Sequence, residues 1–228
     1  MKRQIITTAD GSKTIQIEDW NEQYHSIHGA LQEAQHVFIK HGLEYFIDLF
    51  RDIKIPSISI LEIGFGTGLN AFLTLLEAEK METPIDYVGV EAYPVSVSEI
   101  QALNYPELLE NERFVNRFKG LHSCSWEEEH TISPHFNLTK RKQEFQGLND
   151  QNRFDIIYFD AFGARVQPEL WTETIFKIMF DALRKDGVLV TYSAKGSVRR
   201  AMQAVGFTVE RLEGPPGKRE MLRACKEA

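Results

Sequence analysis

A chain of 228 residues with 43% hydrophobic content suffices for one α/β domain with a modest appendage. No apolar run approaches the ~20 residues of a membrane span, and the opening MKRQIITTADGSKT lacks the apolar stretch of a secretory signal. Cys124 and Cys225 match no metal or redox spacing, which predicts a reduced, cytoplasmic protein, and a net charge of −7 argues against a generally basic, nucleic-acid-coating chain.

In chain order, Gln4 to Ile17 reads as a hairpin, with Ile5, Thr7, Thr14, Ile15 and Ile17 flanking the Asp10-Gly11 turn. Tyr24 to Leu43 carries apolar residues at helical spacing (Ala30, Leu31, Ala34, Val37, Phe38), with Gly42 as its stop, and a second helix is expected over Glu44 to Arg51. Residues 1–52 are thus expected to form a hairpin and helical lid packed on one core unit, 53–228.

The core opens with a strand, Ser57 to Ile63, then the segment LEIGFGTGLN and a helix from Leu69 to Glu79. Gly64, Gly66 and Gly68 remove side chains where the backbone turns tightly beside a ligand, and the free N–H groups of the next helix face that ligand. The dinucleotide fingerprint is G-x-G-x-x-G; here the pattern is G-x-G-x-G and Leu69 takes the third glycine's place. This spacing fits S-adenosyl-L-methionine (SAM) better than a pyrophosphate cofactor, with an NAD-dependent oxidoreductase as the alternative. A second strand, Asp86 to Glu91, closes on a carboxylate positioned to bond ribose hydroxyls.

A helix follows over Val95 to Leu103, and Asn104 to Arg153 resists assignment beyond an extended hairpin for Phe136, Leu138 and Phe145. DIIYFD, Asp155 to Asp160, reads as a buried strand. Trp171 to Leu183 and Ser197 to Val205 read as helices, Val188 to Tyr192 and Phe207 to Arg211 as strands, and Glu220 to Ala224 as an antiparallel last strand. Such alternation predicts a doubly wound, mostly parallel sheet with helices on both faces. Gly64, Glu91 and Asp160 then share the carboxyl edge, where open α/β sheets bind ligands. Asp160 is therefore a second active-site candidate, with a cap or turn role as its alternative.

From Arg184 onward bases outnumber acids, and Lys140-Arg141-Lys142 is a second basic run, so one basic face on an acidic protein is an open reading beside ordinary solvated charge. The histidines His25, His28, His122, His130 and His135 do not converge at metal spacing, and no metal is expected.

GFGTGLN, FDAF…PELW, SVRRAMQAVGFTVERLEG, GKREML and the entry segment YHSIHGALQEAQHVFI together resemble the tRNA 5-aminomethyl-2-thiouridine methyltransferase family, MnmD, also found as the N-terminal half of two-domain MnmC. The resemblance covers most of the chain and corresponds to the form without the oxidase half. It implies a seven-stranded class I methyltransferase sheet, and methyl transfer from SAM to the primary amine of 5-aminomethyl(-2-thio)uridine at the tRNA wobble position. It further implies separate oxidase or upstream enzymes acting on the same uridine. Glu62, Gly64, Phe65, Gly66, Thr67, Gly68, Asn70, Glu91 and Asp160 would line the cofactor, and Tyr24, Gln32 and Glu33 would close over it. Asp160 and Phe162 would face the amine, and Arg165, Arg199, Arg200, Lys218 and Arg219 would meet the anticodon loop. No residue is implied at the adenine. A small-molecule or protein amine as acceptor shares every cofactor residue and is the nearest alternative.

Overall fold

The computed structural model describes residues 2–53, 55–109 and 112–227, with backbone only at 112 and 113. The chain opens with β1 (Arg3–Thr7), β2 (Lys13–Ile17) and β3 (Glu22–Gln23), a small antiparallel sheet in the order β1-β2-β3. Next comes an unbroken helical stretch: α1 (Ala30–Ala34), a wide π-helical run (Gln35–Glu44) and α2 (Tyr45–Leu49). Residues 24–29, expected to be helical, are instead an irregular crossing segment; Gly29 sits at φ 146°, outside the helical region. Gly42 does not stop the helix. It lies inside the π-helical run, where a Cβ would stand 3.0 Å from the Tyr158 ring and 3.1 Å from Val190, so it lets the helix approach the sheet.

The core then runs β4 (Ile58–Ile63), α3 (Leu69–Met81), β5 (Ile85–Val90), α4 (Val97–Gln101), α5 (Tyr105–Leu108), α6 (Glu112–Ser123), β6 (Glu129–Ser133), β7 (Phe136–Arg141), β8 (Phe154–Phe159), α7 (Glu173–Ala182), β9 (Leu183–Thr191), α8 (Gly196–Ala204), β10 (Thr208–Glu213) and β11 (Glu220–Cys225). The sheet order is β10-β11-β9-β8-β4-β5-β7-β6. The four central pairings are parallel; β6–β7, β9–β11 and β10–β11 are antiparallel. The sheet therefore has eight strands where seven were expected. The extra one, β6, forms a hairpin with β7 through the Ser133–Phe136 turn and caps the edge that β7 would otherwise expose. Phe136 and Leu138 lie on that hairpin as expected, whereas Phe145 falls in a 3-10 turn beyond it.

Alternation along the strands sends side chains into two cores. Ile156 and Tyr158 pack with 30–49 and α3 on one face, Ile157 and Phe159 with α7 and α8 on the other. The chain leaves β4 toward β5 and β7, then returns to β8 on its other side, so a crevice opens between the carboxyl ends of β4 and β8. No helix among the described residues is long and apolar enough to cross a membrane.

Candidate functional site

That crevice is the mouth of a cavity of about 1190 Å³. Its floor is the β4–α3 turn. Gly64, Gly66 and Gly68 all have positive φ (90°, 49° and 70°), which L side chains rarely adopt. A Cβ on Gly64 would stand 2.6 Å from the Asp160 carbonyl, so the ends of β4 and β8 touch there. A Cβ on Gly66 would meet the Tyr24 ring at 3.0 Å, because the crossing segment lies over the turn.

Glu91 follows β5 and closes the near wall. Its Oε2 accepts the Gly66 N–H at 3.0 Å and its Oε1 the Tyr93 N–H at 2.9 Å, which locks the carboxylate against the glycine turn. Desolvation raises its pKa against those same hydrogen bonds. Deeper in, the Asn70 amide donates to Glu62 Oε1 (2.9 Å) and to Asp160 Oδ2 (2.8 Å), tying α3 to β4 and β8. Glu62 is 1% exposed, and burial with the Asp160 charge beside it pushes its pKa well up. Burial, then Glu33, raises Asp160 to about 7, opposed by Asn70 and Lys218.

The N-terminal segment supplies the roof. Phe162 packs edge-on against Trp20 (5.6 Å) and Tyr24 (4.9 Å). Arg165 bonds the carbonyls of Trp20 and Asn21 and pairs with Glu22 at 2.8 Å, so this residue, expected to meet RNA, fastens the β8 loop to the roof. Lys218, also expected to face RNA, turns inward to Glu33, whose Oε2 accepts the Ser26 N–H at 2.8 Å. Thr67 lines the floor and its hydroxyl is shared between Tyr105 (3.2 Å) and His25 (3.4 Å). Burial lowers His25 to about 4, so its ring is neutral.

Of the residues expected at the cofactor, Tyr24, Glu33, Glu62, Gly64, Phe65, Gly66, Thr67, Asn70, Glu91 and Asp160 line this one cavity, as does Phe162. Two do not. Gln32 lies on the opposite side of its helix beside a separate shallow groove, and Gly68 starts α3 while packing on His122. The sequence reading missed Glu144, Phe145 and Gln146, which stand on the cavity rim just past β7. The signal was present: they follow the third parallel strand at its carboxyl end, but that strand was unassigned. Tyr192 and Arg3 were also missed; they arrive from opposite ends of the chain.

Eight carboxylates line the cavity against Arg3 and Lys218, a lining that suits a cationic sulfonium amino acid and repels a pyrophosphate. Among the described residues the buried Asn70 Oδ1 has no hydrogen-bond partner, which leaves an acceptor free on the cavity wall. The acidic lining thus fits a cation such as SAM.

A profile of S-adenosyl-L-methionine-dependent methyltransferases matches residues 111–227. The chain belongs to this family. MnmC of Nitrosospira multiformis, named a tRNA 5-methylaminomethyl-2-thiouridine biosynthesis bifunctional protein, is 30% identical over 216 residues, 90% of this chain and 34% of that protein. Its namesake from Actinobacillus pleuropneumoniae is 28% identical over 227 residues, 90% of this chain and 32% of its own. The chain spans about a third of the length of the curated relatives it matches. Among solved structures, MnmC2 of Aquifex aeolicus superposes with a TM-score of 0.78 at 25% identity, covering 100% of this chain and 71% of that one. Spermidine synthase of Thermotoga maritima, at 14% identity and a TM-score of 0.54 over 97% of this chain and 72% of its own, shares the fold. This SAM-dependent methyltransferase has the class I α/β fold, and the alternative of an NAD-dependent oxidoreductase falls with the family match.

Among the described residues no group of three or more metal-ligating side chains gathers. The basic run at 140–142 does not form a basic face. Lys140 is 1% exposed, held under the Trp126 ring with its ammonium on the His122 carbonyl, and Arg141 pairs with Asp150. Many C-terminal bases are likewise engaged: Arg184 with Asp155, Arg223 with Glu210, and Lys226 with the carbonyls of Phe180 and Leu183. Arg200 and Arg219 remain exposed, and Arg199 is half-buried with its Nε unpartnered.

Proposed function

We propose that this protein transfers a methyl group from SAM to the primary amine of 5-aminomethyl(-2-thio)uridine at the wobble position of tRNA. The observation that carries the reading is Asp160. It sits in the SAM cavity at the end of β8, held by Asn70, with an acid strength moved toward neutrality. The MnmC relatives, named for 5-methylaminomethyl-2-thiouridine biosynthesis in tRNA, support this acceptor.

SAM brings an already electrophilic methyl group, so the protein's task is to bind, align and deprotonate the acceptor. An alkyl amine has a pKa of roughly 10, by analogy with lysine. An ordinary aspartate is a poor base for it. Asp160, raised to about 7, narrows that gap while still accepting a hydrogen bond from the amine, so it orients first and takes the proton second. Phe162, Tyr24 and Trp20 give an aromatic wall on which a splayed wobble base stacks. Glu144, Phe145 and Gln146 stand where the adenine of SAM would reach the rim. Lys195, Arg199 and Arg200 at the start of α8 meet the anticodon-loop backbone, and Arg219 extends that surface. The protein would work in the cytoplasm, on tRNA that upstream enzymes have already furnished with the aminomethyl group.

The test is mass spectrometry of wobble nucleosides after incubating aminomethyl-bearing tRNA with the protein and methyl-labelled SAM. Label in 5-methylaminomethyl(-2-thio)uridine is the expected result. Label absent from RNA but present in a small amine or a protein would transfer the assignment to that acceptor.

A further inference from the structure

Lys218 and Glu33 form an ion pair within the cavity lining. Lys218, on the short turn between β10 and β11, places its ammonium on Glu33 Oε1 and 3.9 Å from the centre of the Tyr192 ring. A carboxylate combined with an aromatic face is a recognition site for alkylammonium ions. Both walls are anchored without Lys218. Glu33 Oε2 is fixed by the Ser26 N–H at 2.8 Å, and the Tyr192 hydroxyl donates to the Ala161 carbonyl at 2.8 Å, one residue beyond Asp160. The seat therefore persists when its occupant leaves, whereas a pair existing only as a strut would lose one side.

The occupant is a primary alkylammonium, the same chemical group as the aminomethyl acceptor. It follows the turn Gly214-Pro215-Pro216-Gly217, and its side chain is 30% exposed against 9% for Glu33. A partly buried pair of this kind is poor evidence for stability, because desolving two ions offsets their attraction.

The geometry points to Glu33 and the Tyr192 ring as the seat of the acceptor's ammonium, filled by Lys218 as an internal surrogate until an acceptor displaces it. This rests on the amine-acceptor reading above. It gives Glu33 a substrate role instead of the cofactor role expected from sequence, and gives Lys218 an inhibitory one instead of a phosphate contact. Seated there, the amine lies in the same cavity as Asp160.

The test has an arm free of tRNA. With SAM-saturated protein, n-butylammonium is titrated by calorimetry against wild type, K218M and E33Q, with n-butanol as the uncharged control. K218M is expected to bind the ammonium at least 5-fold more tightly than wild type and E33Q at least 5-fold more weakly, n-butanol showing no difference. SAM affinity within about 2-fold of wild type certifies each fold. K218M binding no tighter than wild type overturns the proposal. Should K218M fail to fold, wild-type NMR decides. The ring-shifted ε-methylene signal of Lys218 must move toward its free position as n-butylammonium is added; a stationary signal overturns the proposal. In the tRNA arm, K218M lowers KM for tRNA several-fold. A raised KM with a flatter salt dependence would make Lys218 a phosphate contact and sink the surrogate. If wild type leaves tRNA unlabelled while the ammonium arm holds, the tRNA reading fails and the seat stands.

Discussion

Asp160 and Glu62 show how two neighbouring carboxyls acquire different tasks. Glu62, almost wholly buried beside the Asp160 charge, has its pKa pushed well above the ordinary carboxylate range, whereas Asp160 near 7 changes charge within the working range. Glu62→Gln should therefore stabilise the ligand-free protein at pH 7 and not near pH 4, read by chemical denaturation at the two pH values, since the amide keeps the shape and removes the cost of burying a carboxyl whose pKa is raised on folding. Asp160→Asn should lower kcat by about 10²–10⁴ with SAM affinity kept, and should abolish the rise of kcat/KM through pH about 7 that deprotonation of Asp160 produces. The same substitution tests stability. A carboxyl whose pKa is raised on folding adds no penalty below its unfolded value near 4, a growing one between about 4 and 7, and a constant one above. Asp160→Asn should thus stabilise the ligand-free protein by about 1–2 kcal/mol at pH 8 and leave it unchanged near pH 4, read from Tm at the two pH values.

Among the elements, the glycine turn and the π-helical run do different work with the same residue type. Gly66 needs a left-handed φ of 49° and lets Tyr24 lie on the turn; Gly66→Ala should weaken SAM binding at least 10-fold in a binding titration, through strain and a displaced roof. Gly42 has ordinary helical φ, and its constraint is space alone. Gly42→Ala should cost about 1–3 kcal/mol in denaturant unfolding, because the Tyr158 ring and Val190 must give way, with SAM affinity in the folded fraction unchanged. Arg165 belongs to this scale too: it couples the β8 loop to residues 20–22 and so carries the roof.

For the whole molecule, the net charge of −7 conceals a division of labour. Eight acidic side chains line the cavity, and four of the ten bases from Arg184 onward, Arg184, Arg211, Lys218 and Arg223, sit in internal ion pairs. Among the described residues Arg199 and Arg200 form no ion pair; they lie on α8, which follows β9 and the cavity-lining Tyr192. Reversing both to Glu should weaken tRNA binding at least 10-fold and reduce the slope of log affinity against log salt by about 2, with SAM affinity unchanged. An unaltered salt slope would remove α8 from the RNA surface.

Strands β4, β5 and β8 to β11, the glycine turn and the carboxylates ending β5 and β8 were legible in the sequence because each depends on local pattern: runs of apolar residues, glycine spacing, an acid at a strand end. The order of events along the chain also fixed which side of the sheet the ligand takes. Only the tertiary structure decided what happens where distant segments meet. Arg165 and Lys218 read as free bases until residues 143 and 185 positions away supply Glu22 and Glu33. Lys140 reads as part of a basic run until Trp126 covers it. The proton affinity of Asp160 is set by burial and by Glu33, neither of which any window of sequence contains. Short-range periodicity encodes backbone conformation; charge pairing and dielectric belong to through-space neighbours, which the fold alone brings together.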